Sequence, residues 1–325
     1  MKIGVIGGGA WGTALAQVAA AGGDVLLWAF EPDVVDAINQ GHVNPIFLAG
    51  VPLSPAIRAT NDLGDLATCE ALLVVTPAQH MRRILGAAPV GMRPLILCSK
   101  GIEADTMALM SEAAAEICPE APIAVLSGPT FASEVARGLP TAVTLACADE
   151  TVASQLAQRI ARPGFRPYRS TDVIGAEIGG AVKNVLAIAC GVVEGAGLGK
   201  NARAALIARG FAEMTRFGLA RGARSETLAG MSGLGDLVLT CSSEQSRNFS
   251  LGLGLGQGKS ADSLMSDRRT VAEGAFTAPV LVEAAKAAGV EMPISQAVAS
   301  LLDGSADVKA AVETLLARPL RDEAV

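Results

Sequence analysis

The sequence is poor in histidine, aromatic residues and basic charge, and each shortage excludes a class of function. Its 325 residues include two histidines, His42 and His80, and only 3% aromatics. A histidine-based catalytic triad or a histidine-rich zinc site has almost no residues to draw on. Lys and Arg number 26 against 32 Asp and Glu, a net charge of −6. Because nonspecific binding to nucleic acid or to an anionic membrane needs a basic excess, we expect neither partner.

The sequence also lacks the patterns that are typical of disulfide-rich scaffolds, cysteine-ligated metal sites and membrane-spanning helices. The six cysteines form no C-x-x-C pair, which predicts reduced, mostly buried thiols in a cytoplasmic protein. Several glycines within the first dozen residues weaken any signal-peptide helix, so we expect no cleaved signal. The apolar stretch 178–198 comes closest to a membrane span, but Lys183 and Glu194 interrupt it.

The chain is long enough for about two domains, and 50% of its residues are hydrophobic. In the first half, apolar β-type runs alternate with helical stretches, which predicts a doubly wound parallel sheet with helices on both faces. The apolar runs are 2–6, 25–28, 71–75, 94–98, 123–126 and 142–145, and helical stretches include 11–21, 33–39 and 106–117.

The character of the sequence changes after about Thr171, where strand signals fade and helix-compatible stretches follow one another. We therefore predict a dinucleotide-binding α/β domain over residues 1–175 and an all-helical, substrate-binding domain over 176–325.

Two segments break the pattern of alternating strands and helices. The proline-rich segment 41–61 is interpreted as a long ordered loop, and the glycine-dense segment 251–258 as a loop or a weak helix end.

The motif Gly7-x-Gly9-x-x-Gly12 follows the first predicted strand and precedes a helix. In that context Gly7 permits a tight turn, Gly9 lets the backbone approach a pyrophosphate, and Gly12 allows close helix–strand packing. The helix N-terminus then offers free N–H groups and a positive dipole to the phosphates. The motif predicts a Rossmann domain that binds NAD or NADP. The alternative is a glycine-rich turn with no ligand.

The residue at the end of the second strand selects between the two dinucleotides. Glu31 lies 19 residues after Gly12, close to the spacing expected for a carboxylate that accepts from the ribose 2′-OH, and no arginine is near it. This favours NAD over NADP. The alternative is that Glu31 only caps the helix that follows.

Polar residues among small apolar ones mark three candidate sites. Lys100 directly follows an apolar run, as does the segment 127–132, and both are placed to meet an anion or a cofactor. Lys183 is the one lysine in an apolar helix, where burial requires it to be neutralised or paired, and it is our candidate for proton transfer. Arg247, between Ser246 and Asn248, suits a phosphate. Each residue also has an alternative without function. Lys100 would be an ordinary solvated lysine, Lys183 a lysine that extends its ammonium group from the helix to solvent, and Arg247 an unpaired surface arginine.

Taken together and in order, these motifs resemble those of the bacterial soluble NAD(P)-dependent glycerol-3-phosphate dehydrogenases. The resemblance runs from Ile3 to about Glu273 and is carried by Gly7-x-Gly9-x-Trp11-Gly12, Ser99-Lys100-Gly101, Ser127-Gly128-Pro129-Thr130-Phe131-Ala132, Lys183-Asn184, Gly233-Leu234-Gly235-Asp236, Ser246-Arg247-Asn248 and Glu273-Gly274. It implies a Rossmann domain, a helical substrate domain, and reduction of dihydroxyacetone phosphate to sn-glycerol 3-phosphate for phospholipid synthesis.

The resemblance also implies roles for individual residues. Lys183 would be the proton acceptor in glycerol 3-phosphate oxidation and the proton donor in the reverse direction. The residues implied to bind substrate are Lys100, Gly128, Thr130, Asp236, Ser246, Arg247 and Asn248. The residues implied to bind the cofactor are Gly7, Gly9, Ala10, Trp11, Gly12, Lys100, Ala132, Arg247, Val271 and Glu273. Asn44 and Phe47-Leu48 fit the family's long loop after the second strand.

One departure bears on the cofactor: where the family commonly has an arginine after Trp-Ala, this chain has Phe30, which agrees with NAD as the favoured cofactor. Two other functions stay open at this point. A β-hydroxyacid dehydrogenase shares the plan and the lysine but takes a carboxylate substrate, and a nucleotide-sensing module would bind NADH without turnover. The sequence does not determine the oligomeric state, and a homodimer is one option.

Overall fold

A computed structural model describes residues 1–266 and 272–319. They divide into two compact units, one of residues 1–100 and 110–176, the other of residues 101–109 and the chain from 177 onward. The chain passes between the units three times, at 100/101, at 109/110 and at 176/177, and the last passage lies within the long helix Val173–Gly195. Our domain boundary at 175/176 stays a prediction. No local sequence pattern indicates that the segment 101–109 groups with the second unit.

An eight-stranded sheet lies at the centre of the first unit, in the order β3-β2-β1-β4-β5-β6-β7-β8. The strands are β1 Ile3–Ile6, β2 Val25–Trp28, β3 Ile57–Thr60, β4 Ala71–Val74, β5 Leu95–Leu97, β6 Ile123–Ser127, β7 Thr141–Cys147 and β8 Phe165–Ser170. The strand order reverses between β1 and β4. In open α/β sheets this switch point is where ligands bind, beyond the carboxyl ends of the strands.

All six apolar runs predicted from the sequence are strands, with ends within two residues of the prediction. Every residue of β1 and β4 is buried, as expected for strands covered on both faces. The expectation of a fully parallel sheet was wrong at one pair. β6 and β7 are antiparallel, because the chain between them contains only a short helix, and antiparallel neighbours need no long crossover.

Two strands were missed. β3 lies inside the segment 41–61, which we expected to be a loop throughout. β8 was missed because its sequence contains no continuous apolar run. Both are edge strands of the sheet. An edge strand has one partner and a partly solvated face, so it can carry charge and even proline, as β8 does at Pro167.

Helices cover the sheet of the first unit and are α1 Ala10–Ala20, α2 Pro32–Gly41, α3 Ala78–Ala87, α4 Met110–Ile117, α5 Ala132–Ala136 and α6 Glu150–Ile160, with a 3₁₀ turn at Leu63–Thr68. Helix α4 begins four residues later than predicted. Met107 has the left-handed φ of 57° and Ile102 pairs with Leu109, so the chain before Met110 is a closed loop.

The second unit is built from helices, as predicted: α7 Val173–Gly195, which starts in the first unit, α8 Gly199–Ala220, α9 Ser225–Leu228, α10 Asp236–Thr240, α11 Arg247–Gly256, α12 Ala261–Leu264, α13 Glu273–Ala287, α14 Pro293–Leu302 and α15 Val308–Leu316, with a π-helical turn at Met231–Gly235. Among the described residues, α7 alone is long and apolar enough to cross a membrane. Of its most apolar window 89% is buried within the protein, so it is a core helix.

Of the two structures that we expected for segment 251–258, a loop or a weak helix end, the helix end is the one observed. Residues up to Gly256 continue helix α11. Two of its glycines, Gly252 and Gly256, face α7. A Cβ on Gly252 would lie 1.9 Å from the carbonyl oxygen of Ile188, and one on Gly191 of α7 would lie 2.0 Å from that of Phe249. Close approach of two backbones, rather than chain flexibility, accounts for these glycines.

Candidate active site

The glycine loop between β1 and α1 is folded tightly over the switch point of the sheet. Gly7 has a φ of +127°, and a Cβ there would lie 2.7 Å from the carbonyl oxygen of Val75. A Cβ on Gly12 would lie 1.9 Å from the carbonyl oxygen of Gly7. Both positions therefore require glycine, for the turn and for packing respectively.

Gly9 differs from its neighbours because no described atom lies within 4 Å of the position its Cβ would occupy. Gly9 is also the N-cap of α1 and offers no side chain to the helix N-terminus. The first backbone N–H bonded within the helix is that of Thr13, to the carbonyl oxygen of Gly9. The N–H groups of Ala10, Trp11 and Gly12 are thus available to an anion, and the loop fits a dinucleotide pyrophosphate.

The end of β2 carries the two residues tied to cofactor choice. Glu31 is the N-cap residue of α2, but its carboxylate makes no capping hydrogen bond to the helix. Phe30 is 71% exposed. The alternative that Glu31 serves only as a cap is therefore unsupported, and its carboxylate is available to accept from a ribose hydroxyl.

Lys100 and the segment after β6 come together at the carboxyl end of the sheet. Lys100 Nζ lies 3.5 Å from the carbonyl oxygen of Gly128, and Thr130 Oγ1 lies 3.4 Å from the same oxygen. Ala132 is the first residue of α5, and residues 128–131 connect it to the end of β6.

Two hydroxyls at the same edge of the sheet are buried and have no hydrogen-bond partner among the described residues. They belong to Thr76, which follows β4, and to Ser127, which ends β6. The Nε1 of Trp11 in the glycine loop is also buried and has no hydrogen-bond partner among the described residues. Unpartnered buried donors are uncommon in folded proteins and are often completed by a ligand or by water.

Lys183 lies near the middle of α7, where it is 7% exposed. Its Nζ donates to Asp236 Oδ1 at 2.8 Å and to Thr240 Oγ1 at 2.9 Å. Thr240 Oγ1 also lies 3.2 Å from Asp236 Oδ1, so the three groups close a triangle. Lys183 is therefore paired, one of the two options that burial left open, and the alternative of a snorkelling lysine was wrong.

Glycines bring Asp236 to Lys183. A Cβ on Gly179, one turn before the lysine, would lie 2.3 Å from the carbonyl oxygen of Ser232 in the π-helical turn. A Cβ on Gly233 would lie 1.9 Å from the carbonyl oxygen of Leu228. Because these glycines let the π-helical turn rest directly on α7, helix α10 starts beside the lysine with Asp236 as its first residue.

The thiol nearest this triangle in sequence, that of Cys241, is held in its neutral form. A hydrogen bond with Cys190 and burial both raise the pKa of the Cys241 thiol well above its usual value, and Lys183 only partly opposes this. A neutral thiol is neither a nucleophile nor a metal ligand at neutral pH. Acid–base chemistry in this cluster therefore falls to Lys183 and Asp236.

The Ser246–Asn248 motif forms the start of α11. Ser246 Oγ accepts from the backbone N–H of Phe249 at 3.2 Å and caps the helix. Arg247 is exposed and has no hydrogen-bond or ion-pair partner among the described residues. Asn248 is buried: its Nδ2 donates to Asn184 Oδ1 at 3.0 Å, and its Oδ1 accepts from Gly274 N at 2.9 Å.

Asn248 therefore joins the residue after Lys183 to the start of α13, where Glu273 is the first residue. Val271 falls outside the described residues. Sequence reasoning gave no role to Thr240 or Asn184. The four-residue spacing from Asp236 to Thr240 on one helix could have indicated the first, because such residues share a helix face.

A glycine loop at the switch point of a doubly wound sheet, and a buried lysine–carboxylate pair in a helical unit, define a dinucleotide-dependent oxidoreductase. Two family models match the chain. The one described as NAD-dependent glycerol-3-phosphate dehydrogenase N-terminus matches residues 2–153, and the corresponding C-terminus model matches residues 172–313. The chain belongs to the NAD-dependent glycerol-3-phosphate dehydrogenase family.

Individual relatives agree over their whole length. The chain is 63% identical to glycerol-3-phosphate dehydrogenase [NAD(P)+] 1 of Sphingopyxis alaskensis, over 99% of this chain and 98% of that protein. It is 64% identical to the corresponding enzyme of Erythrobacter litoralis, with the same coverage. The crystal structure of glycerol-3-phosphate dehydrogenase from Coxiella burnetii superposes with a TM-score of 0.93 at 38% identity and covers 98% of this chain and 99% of that one.

Proposed function

We propose that this chain reduces dihydroxyacetone phosphate to sn-glycerol 3-phosphate with NADH as the preferred reductant, and that Lys183 supplies the proton. The observation that carries the role of Lys183 is its buried pairing with Asp236 and Thr240. The product supplies glycerophospholipid synthesis, and we propose a cytoplasmic location from the buried α7 and the reduced-thiol pattern.

The nicotinamide, when bound, supplies the hydride that reaches C2 of the substrate. Lys183 then has one task, to give its ammonium proton to the C2 oxygen as negative charge develops there. Asp236 supports this task because an adjacent carboxylate favours the charged form of the lysine. In the reverse direction the neutral amine takes the proton back.

The remaining roles are assigned unit by unit. In the first unit, cofactor binding is assigned to Gly7, Gly9, Ala10, Trp11, Gly12, Glu31, Lys100 and Ala132, and substrate binding to Lys100, Gly128 and Thr130. In the second unit, Asp236, Ser246, Arg247 and Asn248 bind substrate, and Arg247, Val271 and Glu273 bind the cofactor. The exposed, unpartnered guanidinium of Arg247 suits the substrate phosphate, because its planar fork matches phosphate oxygens.

The test is the decay of NADH absorbance with dihydroxyacetone phosphate, using the wild-type chain and Lys183→Gln. The glutamine amide can still donate to Asp236 and Thr240, which preserves the packing, but it has no transferable proton. We expect Lys183→Gln to lower kcat by about 100- to 10,000-fold and to leave the Kd for NADH unchanged.

Lys286→Ala removes an exposed lysine of α13 and serves as the control that keeps full activity. No oxidation of NADH by the folded wild-type chain would refute the function. Normal turnover by Lys183→Gln would refute only the role of the lysine. A β-hydroxyacid offered in its place, with NAD, is expected to give no turnover, because it presents a carboxylate and no phosphate.

A further inference from the structure

Asn44 is a wholly buried polar residue in the loop between α2 and β3, and nothing in the proposed function uses it. Its own backbone carbonyl accepts from Leu48 N at 2.9 Å, and its side-chain Oδ1 accepts from Phe47 N at 3.1 Å. Because Phe47 N can only donate, this contact fixes which end of the amide is oxygen. The Nδ2 end therefore faces the opposite way.

That Nδ2 end reaches the glycine loop, 36 residues earlier in the chain. It donates to the carbonyl oxygen of Gly8 at 2.8 Å and to Thr13 Oγ1 at 2.8 Å. Thr13 Oγ1 in turn donates to the same Gly8 oxygen at 3.2 Å. Asn44 and Thr13 are both 0% exposed, so the Gly8 carbonyl is held by two donors out of contact with water.

Holding this carbonyl determines the direction of the next N–H. The Gly8–Gly9 peptide is trans, since the described chain contains no cis peptide bond, and in a trans peptide the C=O and N–H point in opposite directions. The Gly9 N–H thus points away from Asn44. It donates to no described backbone or side-chain group, and Gly9 is the loop residue with open space around it.

We propose that Asn44 is a positioning residue for the dinucleotide: it fixes the Gly8–Gly9 peptide so that the Gly9 N–H presents itself to the cofactor pyrophosphate. Asn44 acts through that peptide and does not itself touch the cofactor. This inference rests on the proposed function, because it needs a dinucleotide at the glycine loop. A fixed donor binds an anion more tightly than a mobile one, since less conformational entropy is lost on binding.

The chain supplies a matched pair of asparagines for the test. In Asn44→Asp a carboxylate oxygen replaces the Nδ2 donor and faces the Gly8 carbonyl, while the contact with Phe47 N is kept. Asn39 makes the same kind of contact elsewhere in the unit, with Nδ2 donating to Ala59 O and Oδ1 accepting from Ala59 N, both at 2.9 Å. Asn39→Asp therefore controls for added charge and for a lost amide donor.

NADH binding is measured by fluorescence titration of each purified variant. We expect Asn44→Asp to raise the Kd for NADH at least tenfold, while the KM for dihydroxyacetone phosphate changes less than about twofold and Asn39→Asp changes neither value. Thr13→Val removes the second donor and leaves Asn44 in place, and we expect a smaller rise, of about threefold.

Wild-type NADH affinity in both Asn44→Asp and Thr13→Val would overturn the inference. So would an equal loss in Asn39→Asp, because the effect would then be one of stability alone. Thr13→Val decides the question if Asn44→Asp does not fold. The same titration shows whether the wild-type chain binds NADH at all. If it does not, both the proposed function and this inference are overturned.

Discussion

At the scale of single residues, we expect the exposed side chain of Phe30 to bear on the choice between NADH and NADPH. It follows β2 at the carboxyl end of the sheet, next to Glu31, whose carboxylate would repel a 2′-phosphate. We expect Phe30→Arg to raise the ratio of kcat/KM for NADPH to that for NADH about tenfold, because a guanidinium pairs with phosphate by charge-assisted hydrogen bonds. Steady-state kinetics with both cofactors measures the ratio.

Met92 provides the matched control for this substitution. It is 75% exposed against 71% for Phe30 and lies in the same unit, but it precedes β5 and so stands at the opposite edge of the parallel strands. Met92→Arg adds the same charge and should leave the ratio unchanged. If Phe30→Arg also leaves the ratio unchanged, Phe30 has no part in cofactor choice.

Sequence reasoning found residues whose chemistry shows locally and missed those defined by distant contacts. Lys183 stood out as one charge in an apolar helix, and the glycine motif stood out by its spacing. The Asn44–Gly8 contact joins residues 36 apart, and the Lys183–Thr240 contact joins residues 57 apart. No periodicity within either segment records such a pairing, because it arises only when the tertiary fold brings the segments together.

At the scale of elements, helix α11 is the clearest failure of local propensity. Each glycine costs a helix interior about 1 kcal/mol relative to alanine, so the segment from Gly252 onward suggested a loop. Gly252 and Gly256 of α11 instead lie directly against the backbone of α7. Cβ atoms on Gly195 and Gly256 would lie 2.2 Å and 2.4 Å from carbonyl oxygens of the opposing helix. Tertiary packing between the two helices thus overrides the intrinsic cost.

This crossing makes a prediction that opposes helix propensity. Gly252→Ala should lower the free energy of unfolding by about 1–3 kcal/mol, because its Cβ would collide with the Ile188 carbonyl and force the helices apart. Gly86 in α3 has nothing within 4 Å of a Cβ, so Gly86→Ala should stabilise by about 0.5–1 kcal/mol. Urea unfolding measures both values, and a stabilising Gly252→Ala would contradict the close packing.

At the scale of the whole molecule, the alternation of strands and helices predicted the doubly wound sheet, and the loss of strand signals predicted the helical second half. Both predictions depend on residue composition and on the spacing of apolar residues, and these can be read from a single sequence. The grouping of residues 101–109 with the second unit was not predictable, because the segment has neither a distinctive composition nor a period of its own.

Glu213 links two helices of the second unit and gives the stability of the molecule a pH dependence. This carboxylate on α8 is 1% exposed and accepts from Ile294 N at 2.6 Å, Ser295 N at 3.2 Å and Ser295 Oγ at 3.1 Å, at the start of α14. Burial raises the pKa of Glu213 to about 7, and the hydrogen bonds from Ile294 and Ser295 oppose the rise only in part.

The sign of the pH effect follows from proton binding. Between the unfolded pKa of 4.5 and the folded pKa of about 7, the folded chain holds more of this proton than the unfolded chain. The contribution of Glu213 to the free energy of unfolding is therefore fully present below pH 4.5, falls as the pH rises, and is lost above about pH 7. A shift of this size corresponds to about 3 kcal/mol.

We therefore expect the wild-type chain to lose about 2–3 kcal/mol of unfolding free energy between about pH 5 and pH 8 relative to Glu213→Gln. The glutamine keeps the size of the side chain and an oxygen that can accept from Ile294 N, but it does not titrate. Urea unfolding of both chains across this range isolates the contribution of Glu213, because all other titrating groups are shared and cancel in the difference. Parallel pH profiles of the two chains would show that the carboxyl titrates at its ordinary pKa despite its burial.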